Sequence, residues 1–210
     1  MEESPAMEAP SDARKPQRDW FGIVVSLAAL VTSVVSIVLA VQNSNSMNRL
    51  VQANSWPYLQ FTTGNVAGDG SREIDATLTN AGIGPLRIES FVVAYEGEEA
   101  ANALDLLRAC CLAQDVVIDS GESFVAAVGE IVTGGPTGVV LRPGDKVNVF
   151  RLPLEGANQE VWRKLDSARF RAKYRACYCS VFDECWSTDF EIARRSPVKS
   201  CKPEANSWVG

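Results

Sequence analysis

The sequence contains no histidine. That absence removes the side chain that titrates near neutrality, the commonest zinc ligand, and the usual base for activating a serine or cysteine nucleophile. Paired C-x-x-C knuckles are missing too, so a four-thiolate zinc site has no framework. Nor is there a basic excess: 20 Lys and Arg stand against 26 Asp and Glu, a net charge of −6. This is the wrong sign for displacing counterions from nucleic-acid phosphates. Scattered acids such as Asp115, Asp119 and Glu122 make no defined pair for hydrolysis. These absences predict a protein that is not an enzyme, carries no metal or other cofactor, and binds no nucleic acid.

Charge is absent altogether from Trp20 to Val41, WFGIVVSLAALVTSVVSIVLAV. A helix rising about 1.5 Å per residue crosses a hydrocarbon core of about 30 Å in roughly 20 residues, so residues 20–41 read as a transmembrane helix anchoring the chain in a lipid bilayer. Val38, Leu39 and Ala40 offer a small-residue cleavage pattern. The apolar run nevertheless exceeds the roughly 7–15 residues of a signal-peptide core, and an uncleaved signal anchor is expected. Arg14, Lys15 and Arg18 precede the run, whereas Arg49 is the only cation after it until Arg72. Because Lys and Arg are retained on the cytoplasmic side, the N-terminus is expected inside and the rest outside, in the periplasm if the cell is a bacterium with two membranes. Ala28, Thr32, Ser36 and Ala40 recur at every fourth position, on one face along which two spans can approach. A protein partner or a homo-oligomer is the expected association.

Residues 1–19, with three prolines and mixed charge, read as a disordered cytoplasmic tail. Met47, Leu50, Val51 and Asn54 continue a helical spacing, so residues 42–55 read as a helical stalk that the Ser-Trp-Pro sequence stops. From 56 to 195 the pattern is mostly of strands: WPYLQFTT from Trp56, REIDATLTN, LRIESFVVAY, SFVAAVGEIV and KVNVFRL. The turns NAGIGP and LRPGDK separate them. Helices are expected at EEAANALDLLRACC, residues 98–111, and at NQEVWRKL, while residues 196–210 read as an irregular tail. The fold class is therefore mainly β: behind the transmembrane helix, an immunoglobulin-like antiparallel β-sandwich with two short helical insertions, a small open barrel being the alternative.

Three of the six cysteines fall in ACYCSVFDECW. The preceding stretch alternates Phe170, Ala172, Tyr174, Ala176 and Tyr178 with Arg169, Arg171, Lys173, Arg175, Cys177 and Cys179, so the cysteines share the basic face. In CWSTDFEI, Trp186, Thr188, Phe190 and Ile192 face inward. A hairpin with Cys179 opposite Cys185 sets Arg175 against Asp189, Lys173 against Glu191, Tyr174 against Phe190 and Tyr178 against Trp186. A slip of one residue would expose the aromatic side. Cys179–Cys185 is thus the first expected disulfide. Cys110 and Cys111 are expected to reach distant partners among Cys177 and Cys201 rather than each other. The basic row is expected to be a solvated face partly neutralised by Asp189 and Glu191. The functional expectation is a non-catalytic interaction or scaffolding role, with thiol handling by Cys177 and Cys179 as the alternative.

The stretches SWPYLQ, LTNAGIGPLRI and CYCSVFDECW together resemble uncharacterised bacterial single-pass membrane proteins with an outer immunoglobulin-like β-sandwich. The NAGIGP and LRPGDK turns resemble those of other immunoglobulin-like envelope domains. The resemblance implies a fold and a location in the inner, cytoplasmic membrane, and brings no catalytic or ligand residues.

Overall fold

The computed structural model describes residues 20–191 and 195–210. The expected disordered tail at 1–19 and the inward-facing role expected of Ile192 lie outside the described residues. From Trp20 to Asn54 the chain has no proline and a single glycine, and it forms one helix, α1 (Trp20–Asn54). Its most apolar window has a mean hydropathy of 2.7, long and apolar enough to cross a membrane. The hydroxyls within it find acceptors in their own helix: Ser26 donates to Gly22 O at 2.8 Å, Thr32 and Ser33 to Ala29 O, and Ser36 to Thr32 O at 2.8 Å. All four hydroxyl donors are thus satisfied within the helix itself.

The remainder of the described chain runs β1 (Leu59–Gly64), β2 (Glu73–Asn80), β3 (Leu86–Tyr95), β4 (Glu98–Ala100), α2 (Ala103–Cys110), α3 (Gly121–Val128), β5 (Val132–Thr133), β6 (Val140–Leu141), β7 (Lys146–Pro153), α4 (Gln159–Ala168), β8 (Lys173–Ser180), β9 (Cys185–Thr188) and β10 (Ser196–Val198). All strand pairs are antiparallel. One sheet has the order β1-β2-β7-β5 and the other β10-β9-β8-β3-β4, with β6 also on β3. Alternating apolar residues from both sheets meet in one core, Ile74, Leu78 and Leu152 from the first and Ile88, Phe91 and Val93 from the second. Phe61 of β1 stacks on Tyr174 of β8 with centroids 4.0 Å apart, joining the sheets. Burying each such side chain contributes about 1.5–3 kcal/mol.

Several elements depart from the sequence reading. SFVAAVGEIV, expected as a strand, begins within α3. Ser120 caps this helix by accepting from Ser123 N, the Ser123 hydroxyl takes the Ser120 N–H in return, and Gly129 ends it at φ 85°. Phe124, Ala127 and Val128 then face the core at helical spacing, so the capping box overrides the β-branched residues. EEAANALDLLRACC is a helix only from Ala103. Its first residues form β4, turned back on β3 by Glu96 and Gly97, both at positive φ (51° and 95°), as a two-residue hairpin requires. Asn102 then caps α2 by accepting from Asp105 N at 3.0 Å. The first strand starts at Leu59 rather than Trp56. Arg169 to Ala172 precede β8, and Phe170, expected to face inward, is 73% exposed. The tail from residue 196 is not uniformly irregular: β10 pairs with β9, and Trp208 is fully buried, its backbone N–H donating to Phe91 O at 2.7 Å.

Candidate functional site

The β8–β9 hairpin has the register read from alternation, Cys179↔Cys185, Tyr178↔Trp186 and Cys177↔Ser187. Tyr174, Ala176 and Tyr178 enter the core, which sends Cys177 and Cys179 to the opposite face. Cys179 and Cys185 are disulfide-bonded across a Cα separation of 4.0 Å, close to that of a non-hydrogen-bonded antiparallel pair. Pairing of β10 with β9 brings the tail back over the same face, where Cys201 bonds Cys177. The expectation for Cys110 and Cys111 is corrected: they bond to each other. Cys111 lies in the core with Leu106 and Leu107 of α2, on the inner side of the second sheet, whereas Cys177 and Cys201 lie on its outer side. No bond can reach through the sheet. All six cysteines are oxidised, the state favoured outside the cytoplasm.

On the outer face the two disulfides nearly touch: Cys179 Sγ lies 3.7 Å from Cys201 Sγ. The Sγ atoms of Cys179, Cys185 and Cys201 all lie within 4.8 Å of one another. This spacing would suit a soft metal if the groups were thiolates, but sulfurs held in disulfides are not thiolate ligands. Beside them runs a groove of about 730 Å³, lined by Cys177, Ser187, Asp189 and Ser196 and by the tail residues Val198, Lys199 and Glu204. Its charges are mixed, with Arg175, Lys199 and Lys202 against Asp189 and Glu204.

The basic row is largely neutralised. Arg171 pairs with Glu96 at 3.0 Å and Lys173 with Glu191. Arg175 pairs with Glu99 at 2.7 Å and Glu204 at 3.3 Å, not with the expected Asp189. The reason is that β9 ends at Thr188, and Phe190 takes φ 58°, so Asp189 leaves the ladder. Tyr174 accordingly meets Phe61 and Phe91 instead of Phe190. Arg169 is buried beside Asp166, its guanidinium over the Phe170 ring. The exposed pairs of Arg171, Lys173 and Arg175 each contribute about 0–1 kcal/mol.

Shifted titrations lie away from the groove. The Ser71 hydroxyl and amide hold Asp69 below its usual pKa, Lys164 does so for Glu160, and Glu89 raises Arg87. Burial pushes Tyr174 up to about 12, against a smaller opposing effect of Arg169. Asp119 accepts from the Ser123 hydroxyl at the start of α3, and Asp115 and Glu122 are exposed.

The NAGIGP turn, the LRPGDK turn and the segment after α1 converge on a residue that periodicity alone did not single out. Asn80 is fully buried. Its Nδ2 donates to Gly84 O at 2.8 Å and Leu141 O at 3.1 Å, and its Oδ1 accepts from Gly82 N at 3.0 Å and Tyr58 N at 3.4 Å. Its backbone binds the LRPGDK turn through Asp145 O and Gly144 N, where Pro143 and Gly144 (φ 83°) make a tight bend. Arg195 closes the cluster: its guanidinium sits 3.6 Å over Trp56 and donates to Pro57 O at 2.7 Å. Asn preceding a Gly-rich turn was the only sequence signal for this hub. No family model and no curated protein matches the chain.

Proposed function

We propose that the protein is a single-pass inner-membrane protein of the bacterial envelope. Its N-terminus is cytoplasmic, and its outer, disulfide-stapled immunoglobulin-like sandwich makes non-catalytic protein contacts, as a scaffold or with a second copy. The observation that carries this reading is the joint presence of one apolar helix, α1, and a domain in which all six cysteines are paired. A reducing cytosol would not maintain that pairing, and the cations at Arg14, Lys15 and Arg18 favour the same orientation.

The strand orders support the immunoglobulin-like assignment. Lettering β1, β2, β7 and β5 as A, B, E and D, and β3, β8 and β9 as C, F and G, reproduces the two sheets of that topology. The disulfides depart from it, since they join neighbouring strands and the tail instead of crossing between B and F. Thiol handling by Cys177 and Cys179 is the second reading, favoured by the 3.7 Å approach between the two outer disulfides.

The test is protease digestion of spheroplasts against lysed cells, combined with crosslinking. The expected outcome is a domain degraded from outside, with residues before Trp20 protected, and a discrete crosslinked partner or dimer. Protection of the domain until lysis would overturn the location, and a partnerless monomer would overturn the scaffold.

A further inference from the structure

We propose that the two outer disulfides form a thiol-exchange relay, entered at Cys177 by a thiol of low molecular weight and discharged at Cys185. The proposal rests on the thiol-handling reading and names its route. Cys177 is the cysteine that lines the groove, whose volume of about 730 Å³ suits a small molecule. The charges of Lys199, Lys202 and Asp189 along that groove, none of them in an ion pair among the described residues, suit a small thiol bearing both an ammonium and a carboxylate.

The step follows from the positions of the sulfurs. The incoming thiol loses its proton to solvent, and its thiolate attacks Cys177 Sγ. A mixed disulfide forms, the Cys177–Cys201 bond breaks, and the electron pair leaves on Cys201. The Cys201 thiolate lies 3.7 Å from Cys179 Sγ and attacks it. The Cys179–Cys201 bond forms as Cys179–Cys185 breaks, leaving the electron pair on Cys185. Cys185 takes up a proton, and its thiol has an acceptor in place, Asp183 O at 3.5 Å. Two disulfides break and two form, so no oxidant or reductant is consumed. One entering thiol becomes one protein thiol at another position.

The intact chain in detergent micelles, exposed to one equivalent of glutathione, quenched with acid, alkylated and mapped by mass spectrometry, tests the route. The expected products are glutathione on Cys177, a Cys179–Cys201 link, and alkylation of Cys185 roughly tenfold above that of Cys110 and Cys111. Glutathione on Cys177 with alkylated Cys201 and an intact Cys179–Cys185 bond would overturn the relay while leaving thiol handling standing. Absence of any adduct on Cys177 would overturn both. Cys177→Ser frees Cys201 without added thiol. Label shared between Cys201 and Cys185 supports the relay, and label confined to Cys201 refutes it.

Discussion

Asn80 Nδ2 donates to Leu141 O at 3.1 Å across 61 residues of sequence, and the same amide satisfies Gly84 O. One buried side chain thereby holds together the segment that follows α1, the NAGIGP turn and the LRPGDK turn. Asn80→Ala would leave buried carbonyl and amide groups without partners, each costing about 1–3 kcal/mol. Asn80→Asp keeps the acceptor but loses both donors. Both variants should lower the urea midpoint of the β domain markedly; a midpoint within error of wild type would show that water replaces the amide.

Gly84 is where that turn passes closest to the entering chain. A Cβ there would fall inside contact distance of the Ser55 backbone, which cannot retreat as a flexible side chain would. Gly84→Ala is expected to cost roughly 1–3 kcal/mol and to speed proteolysis between Ser55 and Tyr58. Gly68→Ala, with open space around it, is the control and should change neither readout.

The phenol of Tyr174 is buried, and among the described residues its oxygen has no hydrogen-bond partner. Folding raises its pKa to about 12 from an unfolded value of about 10. In that interval the unfolded chain loses the proton first, so its stability contribution is full below about pH 10 and is lost as pH rises through about 12. Stability should fall there by up to about 1.4 kcal/mol per pH unit. Tyr174→Phe should remove that part of the slope without lowering stability at pH 7, as read from denaturant melts across pH.

The three disulfides differ in the chain length they close: sequence separations of 24 for Cys177–Cys201, 6 for Cys179–Cys185 and 1 for Cys110–Cys111. Loop-closure entropy then ranks the paired Cys→Ser variants, with losses of about 3, 2 and 1 kcal/mol. Equal midpoints for the first and last pairs would show that the tail is held by Trp208 and β10 alone.

Arg195 combines a ring contact with Trp56 and a hydrogen bond to Pro57 O. Arg195→Lys keeps the charge but loses the planar stacking, so it should recover little of the roughly 1–2 kcal/mol lost in Arg195→Ala. Full recovery by lysine in thermal melts would mean that charge alone matters there.

Features that depend on neighbours along the chain could be read from the residues. The uncharged run from Trp20 to Val41 specifies a helix long and apolar enough to cross a membrane, and the alternation from Tyr174 to Cys179 sets which face of β8 is buried and hence the register with β9. Pro143-Gly144 likewise specifies its own bend. Features that depend on segments returning from afar required the folded chain. Cys201 finds Cys177 because β10 pairs with β9, and Cys110 turns to Cys111 because the second sheet stands between them and the other thiols. The mixed pattern at α3 was resolved by the two serines of its cap. Periodicity records which side of a segment seeks the core, but not which distant segment will cover it.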